Sequence, residues 1–158
     1  AALVEASSGQ LYAGKADAPM IEGRAPKPPP PVMERIPFIG QIMSLLPSGA
    51  PVGVDHAIED PGTVLPEDIR AVPTPGHTPG HTSYLLDRAG GVLFVGDTAV
   101  ATRSGEVRRG WVNRATPTRD GRIRSIADQE FAIACFGHAR AITSNAAAAF
   151  RAFVPRLG

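Results

Sequence analysis

The sequence has a single cysteine, almost no excess charge and no long apolar run. Cys135 excludes a disulfide within the chain, and because it lies in the apolar stretch 131–136 we expect a small buried hydrophobic side chain. Lys and Arg number 16 against 15 Asp and Glu, a formal net charge of +1, so we expect no nucleic-acid partner. No apolar run approaches the ~18 residues of a membrane span, and no signal-peptide pattern is present. We therefore expect a cytoplasmic protein without a membrane partner.

The chain begins inside a predicted helix. Residues 1–6, Ala-Ala-Leu-Val-Glu-Ala, favour a helix, but no methionine and no capping Ser, Thr or Asp precedes them. We therefore expect that residues are missing upstream, although a processed or engineered terminus would give the same pattern. The length of 158 residues suits one domain, and we predict a single, N-terminally truncated domain over residues 1–158.

Proline is concentrated between residues 24 and 46. Residues 24–32, Arg-Ala-Pro-Lys-Pro-Pro-Pro-Pro-Val, must be extended. Apolar residues at helical spacing follow, interrupted by Pro37 and Gly40. We predict a cap or connector segment over residues 24–46; a proline ligand for a partner and a helix packed on its own sheet are the alternatives.

The stretch 73–83, Pro-Thr-Pro-Gly-His-Thr-Pro-Gly-His-Thr-Ser, predicts a stiff loop between two strands. Proline lacks the N–H that a central strand needs, and glycine weakens regular structure. His77 is held between two Pro-Gly turns, so it has little freedom to lose on binding. Such preorganisation is typical of a metal ligand.

Two more potential ligands directly follow predicted strands. Asp97 comes after the strand 92–95, which is apolar on both faces and predicts a sheet covered on both sides. His138 comes after the apolar strand 131–136. With His77, three strands each deliver one imidazole or carboxylate beyond their ends, and these are ligands that Zn²⁺ prefers. The pattern predicts a metal site formed by His77, Asp97 and His138.

The segments Thr-Pro-Gly-His-Thr-Pro-Gly-His (74–81), Leu-Phe-Val-Gly-Asp-Thr (93–98) and Cys-Phe-Gly-His (135–138) together closely resemble the metallo-β-lactamase superfamily of metal-dependent hydrolases. The resemblance implies an α/β fold of the αββα sandwich type, with a metal centre at the edge between two sheets. It also implies that His77 binds one metal, that Asp97 bridges two metals as the catalytic carboxylate, and that His138 binds the second.

The family motif His-x-His-x-Asp-His, which supplies four further ligands, is absent from the 158 residues. In the family this motif precedes a helix that resembles the start of this chain. We therefore expect the C-terminal portion of the fold, without its N-terminal strands. The resemblance implies two Zn²⁺ ions in a complete site, with iron as a possible metal, and we expect weak or no metal binding by this chain alone.

Three residues near these motifs are candidates for supporting roles. We expect His81 to be a surface histidine or to lie outside the ligand set, where supporting a ligand would be its best functional role. Thr98 could form a hydrogen bond near the site. Residues 99–119 have no regular period and predict a loop near the metal edge, in which Trp111 lines a pocket or packs on the core.

Elsewhere the predictions concern structure alone. Alternation predicts a strand over residues 52–58, in which His56 is an ordinary histidine. Near the C-terminus we predict a helix capped by Asp120 and a second helix that starts at Thr143 or Ser144.

Two functions from different classes remain open. The resemblance implies a hydrolase that cleaves an ester, lactone, thioester or amide bond of a small-molecule substrate with metal-bound hydroxide, once the missing ligands are supplied. The alternative is a non-catalytic truncated remnant that acts as an assembly or binding unit. An isolated half would expose an apolar sheet face, so we expect self-association or pairing with a missing N-terminal half.

Overall fold

The computed structural model describes residues 2–26, 49–110 and 117–157. The chain divides into two compact units, Ala1–Glu59 and Asp60–Gly158. The cap or connector predicted over residues 24–46 lies mostly outside the described residues, as does Trp111. The prediction of a single domain stays a prediction.

In the described residues of the first unit there are two short helices and two short strands: α1 (Ala2–Ser7), β1 (Tyr12–Gly14), α2 (Ala18–Ile21) and β2 (His56–Ile58). The strands are parallel, and Tyr12 lies opposite His56. The two rings stack with centroids 4.4 Å apart. His56 is exposed, as expected of an ordinary strand or surface histidine.

The strand predicted over residues 52–58 is wrong for its first four residues. The N–H of Val52 donates to the carbonyl of Ile21, 3.2 Å away, and the N–H of Val54 donates to the Glu22 carboxylate at 3.3 Å. Val52 and Val54 therefore pair with the end of α2, whereas the N–H of Asp55 donates to the carbonyl of Leu11, just before β1.

Where the structure describes it, the second unit has seven strands and two α-helices: β3 (Val64–Leu65), β4 (Ile69–Pro73), β5 (Thr82–Leu86), β6 (Val92–Gly96), β7 (Ala99–Ala101), β8 (Val107–Arg109), α3 (Pro117–Ala127), β9 (Ile133–Phe136) and α4 (Ala146–Phe153). Its main sheet has the order β3-β4-β5-β6-β9. The first four strands are antiparallel, whereas β9 runs parallel to β6. Parallel neighbours end at the same edge of a sheet, so the residues after β6 and β9 come together there.

The core lies between one face of this sheet and the two helices. Leu85 and Leu93 from the sheet are buried against Ile123 of α3 and Phe150 of α4. Phe150 is fully buried and stacks on the ring of Phe136, with centroids 6.2 Å apart. Helix α4 is amphipathic and buries one apolar stripe, whereas α3 is mostly polar and contributes Ile123, Ile126 and Ala127 to this layer.

The other face of β6 departs from the prediction. The sequence predicted a strand covered on both sides, but Phe94 is 45% exposed. The two helices α3 and α4 bury the alternate residues Leu93 and Val95, and side chains of a strand alternate between faces.

The predicted loop over residues 99–119 contains a hairpin. Ala99 pairs with Arg109 and Ala101 with Val107, in strands of three residues each. The connecting turn has Gly105 at φ +81, in the left-handed region, which glycine adopts without strain. Strands this short leave no detectable period in a sequence.

The predicted helix starts are also corrected. Helix α3 begins at Pro117, so Asp120 lies in its first turn; its carboxylate accepts hydrogen bonds from Nε and Nη2 of Arg109 at 3.2 and 2.8 Å. The residue that precedes α4 is Asn145, at φ 52, and not Thr143 or Ser144. The local sequence pattern assigned the Asp120 carboxylate to helix capping, but this carboxylate forms an ion pair with Arg109 of β8.

Candidate metal centre

His77 lies in the loop that joins β4 to β5. The neck of this loop is closed by a hydrogen bond from the Thr74 N–H to the His81 carbonyl at 2.8 Å. Within it, the Gly76 N–H donates to the Thr78 carbonyl at 3.1 Å, and Gly76 has φ 153. The stiff loop predicted from the prolines and glycines is therefore present, with His77 near its tip.

Asp97 follows directly after β6. The last residue of this strand, Gly96, has φ +61, and a Cβ placed there would lie 2.6 Å from Nε2 of His81. Both the backbone conformation and the close imidazole require glycine at this position. The Gly-Asp pair of the sequence thus reflects the space that a neighbouring histidine needs.

His138 follows β9, one residue beyond Gly137. The Gly137 N–H donates to the Gly96 carbonyl at 2.9 Å, which ties the ends of the parallel strands β6 and β9 together. A Cβ on Gly137 would lie 2.3 Å from Oδ1 of Asp97. Glycine therefore leaves the space that the Asp97 carboxylate occupies.

The structure brings His77, Asp97 and His138 together. Nε2 of His77 lies 3.6 Å from Oδ2 of Asp97, and Nε2 of His138 lies 3.6 Å from Oδ1. Both distances exceed the ~2.7–3.2 Å of an ordinary N–H···O hydrogen bond. Two ligand atoms at ~2.0–2.1 Å from one tetrahedral Zn²⁺ are separated by about 3.3 Å, which is close to these values.

The donor atoms do not converge on one point. Within residues 2–26, 49–110 and 117–157, no group of three or more His, Cys, Asp or Glu side chains is arranged to hold a single metal ion. Instead, each histidine faces its own oxygen of Asp97. This arrangement fits two metal ions that would share the carboxylate. Each ion would then have two ligands from this chain, fewer than the three or four protein ligands of ordinary zinc sites.

His81 is placed deeper than a surface histidine. Its Nε2 accepts a hydrogen bond from the Asp97 N–H at 3.1 Å. Its Nδ1 lies 2.8 Å from the hydroxyl of Thr74 and 3.2 Å from that of Thr98, a residue only 2% exposed. Both His81 and Thr98 therefore contact the segment that bears Asp97, and neither side chain is among the facing donor atoms.

Two buried polar residues close to His81 were not identified from the sequence. Thr74 and Ser83 are 1% and 0% exposed, their hydroxyl oxygens lie 3.0 Å apart, and Ser83 Oγ donates to the Val95 carbonyl at 3.0 Å. Ser83 lies on the same face of β5 as buried Leu85. The sequence offered one indication of such a role, because Ser83 is a polar residue at a core position of an apolar strand.

A cavity of about 610 Å³ opens beside the three candidate ligands, all of which line it. Its other walls come from the β7–β8 hairpin and from the residues after His138, and they include Arg103 and Arg140. Neither arginine forms an ion pair or hydrogen bond with another residue in the part of the chain that the structure describes. Nothing in the sequence pattern selects these two among the scattered arginines.

Comparison with known proteins gives one family. The model of the metallo-β-lactamase superfamily matches residues 2–145. No curated protein matches this sequence.

Solved structures are similar over nearly the whole chain. A metallo-β-lactamase family protein from Thermus thermophilus is 16% identical with a TM-score of 0.59, over 98% of this chain and 54% of that protein. A metallo-β-lactamase with a HARLDQ motif from Cronobacter sakazakii is 19% identical with a TM-score of 0.60, over 99% and 65%. An archaeal metallo-β-lactamase superfamily protein from Sulfolobus tokodaii is 15% identical with a TM-score of 0.61, over 98% and 60%.

At these identities the similarity concerns the fold. The mixed α/β architecture of the sandwich type predicted from the sequence is confirmed. The chain spans 54 to 65% of the length of these three proteins. No helix among the described residues is long and apolar enough to cross a bilayer.

Proposed function

Because the chain belongs to the metallo-β-lactamase superfamily, we propose that it forms part of the active site of a metal-dependent hydrolase. The reaction class is cleavage of an ester, lactone, thioester or amide bond in a small-molecule substrate. The chain spans less than two thirds of the proteins that share its fold, so the proposal includes further metal ligands from outside these 158 residues.

One observation carries this proposal: two histidines flank one carboxylate and face its two different oxygens, at 3.6 Å each. A histidine that paired with Asp97 for stability alone would form a hydrogen bond at a shorter distance. Here both nitrogens lie at the spacing of atoms that share a metal ion. His77, beside Oδ2, His138, beside Oδ1, and Asp97 are the residues that would hold the metal ions.

The residues of this chain position and expose the donors. The side chain of Asp97 is 27% exposed, although its Oδ1 is buried, and that of His138 is 82% exposed. Both residues line the cavity. Bound metal ions would supply Lewis acidity and lower the pKa of water towards ~7. Asp97 is then the catalytic carboxylate, and no nucleophilic side chain of the protein is required.

Imidazole and carboxylate favour Zn²⁺, and iron is the second candidate for the same ligands. The chemistry of the described residues does not separate the two metals. We propose zinc because hydrolysis changes no oxidation state and Zn²⁺ acts as a Lewis acid without redox chemistry of its own.

The charge of the cavity favours an anionic substrate. Arg103 and Arg140 are exposed at its wall, and the one carboxylate among the lining residues, Asp97, faces two histidines. Guanidinium groups bind carboxylate or phosphate oxygens with two parallel hydrogen bonds. We propose that the substrate bears a carboxylate or a similar anion next to the bond that is cleaved.

The alternative of a non-catalytic remnant is not favoured, because His77, Asp97 and His138 come together and the glycine that makes room for the Asp97 carboxylate is present. The half-exposed Phe94 fits pairing with another part of the fold or self-association. A cytoplasmic location and the absence of nucleic-acid and membrane partners remain proposals from composition.

The test is a Zn²⁺ titration of the 158-residue protein with ¹⁵N-labelled histidine, followed by NMR, which detects weak binding. We expect the imidazole nitrogens of His77 and His138 to shift together, while His56 serves as an internal control. Asp97→Asn should weaken both shifts, since the amide offers one oxygen in place of two. Zn²⁺ that perturbs His56 as strongly as the other two histidines would refute the metal centre.

A second assay measures hydrolysis. The Zn²⁺-loaded protein is tested on a panel of esters, lactones and thioesters, with and without a carboxylate, and compared with Asp97→Asn. Turnover that is equal in the two proteins would show that any activity arises elsewhere.

A further inference from the structure

Four polar side chains link the loop that bears His77 to the strand end that bears Asp97: Thr74, His81, Ser83 and Thr98. Thr74 and His81 are joined twice, once through their backbones at 2.8 Å and once through their side chains at 2.8 Å. The loop neck and the imidazole therefore form one unit. None of these four residues is needed as a metal ligand in the proposed function.

The hydrogen bonds fix the tautomer of His81. A backbone N–H is only a donor, so Nε2, which faces the Asp97 N–H at 3.1 Å, must accept with its lone pair and has no proton. In a neutral ring the proton is then on Nδ1, where the hydroxyls of Thr74 and Thr98 are acceptors. The imidazole is thus held from both sides.

The series of hydrogen bonds continues from His81 into the core. Ser83 Oγ donates to the Val95 carbonyl at 3.0 Å, so it accepts from Thr74 Oγ1, which lies 3.0 Å away. Thr74 in turn accepts from Nδ1 of His81. Each group has one donating and one accepting role, and the order runs from the Asp97 amide to the carbonyl of β6.

We propose that His81 is a positioning residue: its neutral imidazole, kept in the Nδ1–H tautomer because the Thr74 hydroxyl accepts that proton and donates to Ser83, holds the backbone of Asp97 in register with the His77 loop. The hydrogen bonds of His81 do not depend on the proposed function. Only their expected effect on metal binding rests on that function. Partners that orient a metal ligand typically change metal affinity by ~10–100-fold when they are removed.

The position of the carboxylate follows from that of its backbone. Gly96, just before Asp97, has no Cβ, and one placed there would lie 2.6 Å from His81 Nε2. The imidazole therefore fills the space beside this glycine. Without the ring, Gly96 and the Asp97 amide lose a neighbour, and the two carboxylate oxygens lose their fixed place between His77 and His138.

The first experiment uses the metal-free wild-type protein with ¹⁵N-labelled histidine and backbone. NMR should show His81 with a protonated Nδ1 and a bare Nε2, and a scalar coupling through the hydrogen bond should connect the Asp97 amide nitrogen to Nε2. A protonated Nε2, or no coupling to Asp97, would overturn the proposal. This readout needs no variant and no metal.

The second experiment compares Thr74→Val, which keeps the shape and removes the hydroxyl, with Thr74→Ser, which keeps the hydroxyl. Loss of one neutral hydrogen bond, about 0.5–1.5 kcal/mol, corresponds to a two- to tenfold faster hydrogen exchange of the Asp97 amide. We expect this acceleration and a weaker Zn²⁺ affinity in Thr74→Val, and recovery of both in Thr74→Ser. Wild-type exchange and affinity in Thr74→Val would contradict a positioning role.

The two proposals fail in different ways. If the coupling is present and Zn²⁺ shows no preference for His77 and His138 over His56, the proposed metal function is refuted and the hydrogen-bond network stands. If Zn²⁺ binds with that preference and Thr74→Val leaves its affinity unchanged, the metal site stands and the positioning role is refuted.

Discussion

Substitution of Gly137 by alanine should damage the site and spare the fold. The added Cβ would lie 2.3 Å from Oδ1 and 3.2 Å from Cγ of Asp97. An ordinary contact between carbon and oxygen is about 3.3 Å or longer, so the carboxylate must move by about 1 Å. Because Oδ1 is the atom that faces His138, the displacement changes the spacing on which the proposed metal centre depends.

We expect Gly137→Ala to have a large effect on rate and Zn²⁺ affinity and a small effect on the free energy of unfolding. A displacement of about 1 Å in a catalytic site can cost ~10²-fold in rate, and we expect Zn²⁺ affinity to fall by about tenfold or more. Gly137 does not have a positive φ, so alanine fits its backbone and reduces the entropy of the unfolded chain. We therefore expect the free energy of unfolding to change by less than about 1 kcal/mol.

The assay pairs the Zn²⁺ titration followed by imidazole NMR with urea denaturation of the same samples. Gly121→Ala is the matched control, because a Cβ there meets nothing within 4 Å and the residue lies inside α3. It should raise stability by about 0.5–1 kcal/mol and leave Zn²⁺ binding as in the wild type. Wild-type Zn²⁺ affinity in Gly137→Ala would refute the role of this glycine.

Three further predictions concern the core, alkaline stability and the cavity. Phe150→Ala, which empties a fully buried position beside Phe131 at 5.5 Å between ring centroids, should cost about 3–5 kcal/mol in urea denaturation; a loss below about 1 kcal/mol would contradict the assigned core. Burial raises the pKa of Tyr84 above its ordinary value of 10.0. The folded protein therefore binds more protons than the unfolded one above that pH, stability falls as pH rises through the raised pKa, and Tyr84→Phe should flatten the fall in Tm between about pH 9 and 11. Arg103→Ala and Arg140→Ala should raise KM for carboxylate-bearing substrates by about tenfold and leave KM for neutral analogues unchanged; equal effects on both would refute anion recognition.

The positions of His77, Asp97 and His138 next to strand ends could be predicted from the sequence because that pattern is local. A strand that ends in glycine followed by Asp97 or His138, and a loop of Pro-Gly turns around His77, can be recognised without knowledge of distant contacts. The strands predicted over residues 92–95 and 131–136 also agree with β6 and β9 within a residue or two, since each is an apolar run bounded by turn residues.

Predictions failed where a distant partner decided the structure. Asp120 looked like a helix cap, but Arg109 in β8 binds its carboxylate. For His81 only the surface alternative fails, because its two ring nitrogens contact three residues on two segments, Thr74 before the loop and Asp97 and Thr98 after β6. In both cases the competing hydrogen bond joins residues that are more than five positions apart.

Local sequence specifies which residues deliver imidazole and carboxylate groups, because glycine and proline set where a strand stops. Tertiary packing is what turns His77 and His138 towards different oxygens of Asp97 and makes Gly137 the residue that leaves room for that carboxylate. Those relations depend on the parallel pairing of β6 with β9 and on the packing of the β4–β5 loop against the end of β6. Distances of a few ångströms between segments far apart in the chain are set by that packing, and no local pattern encodes them.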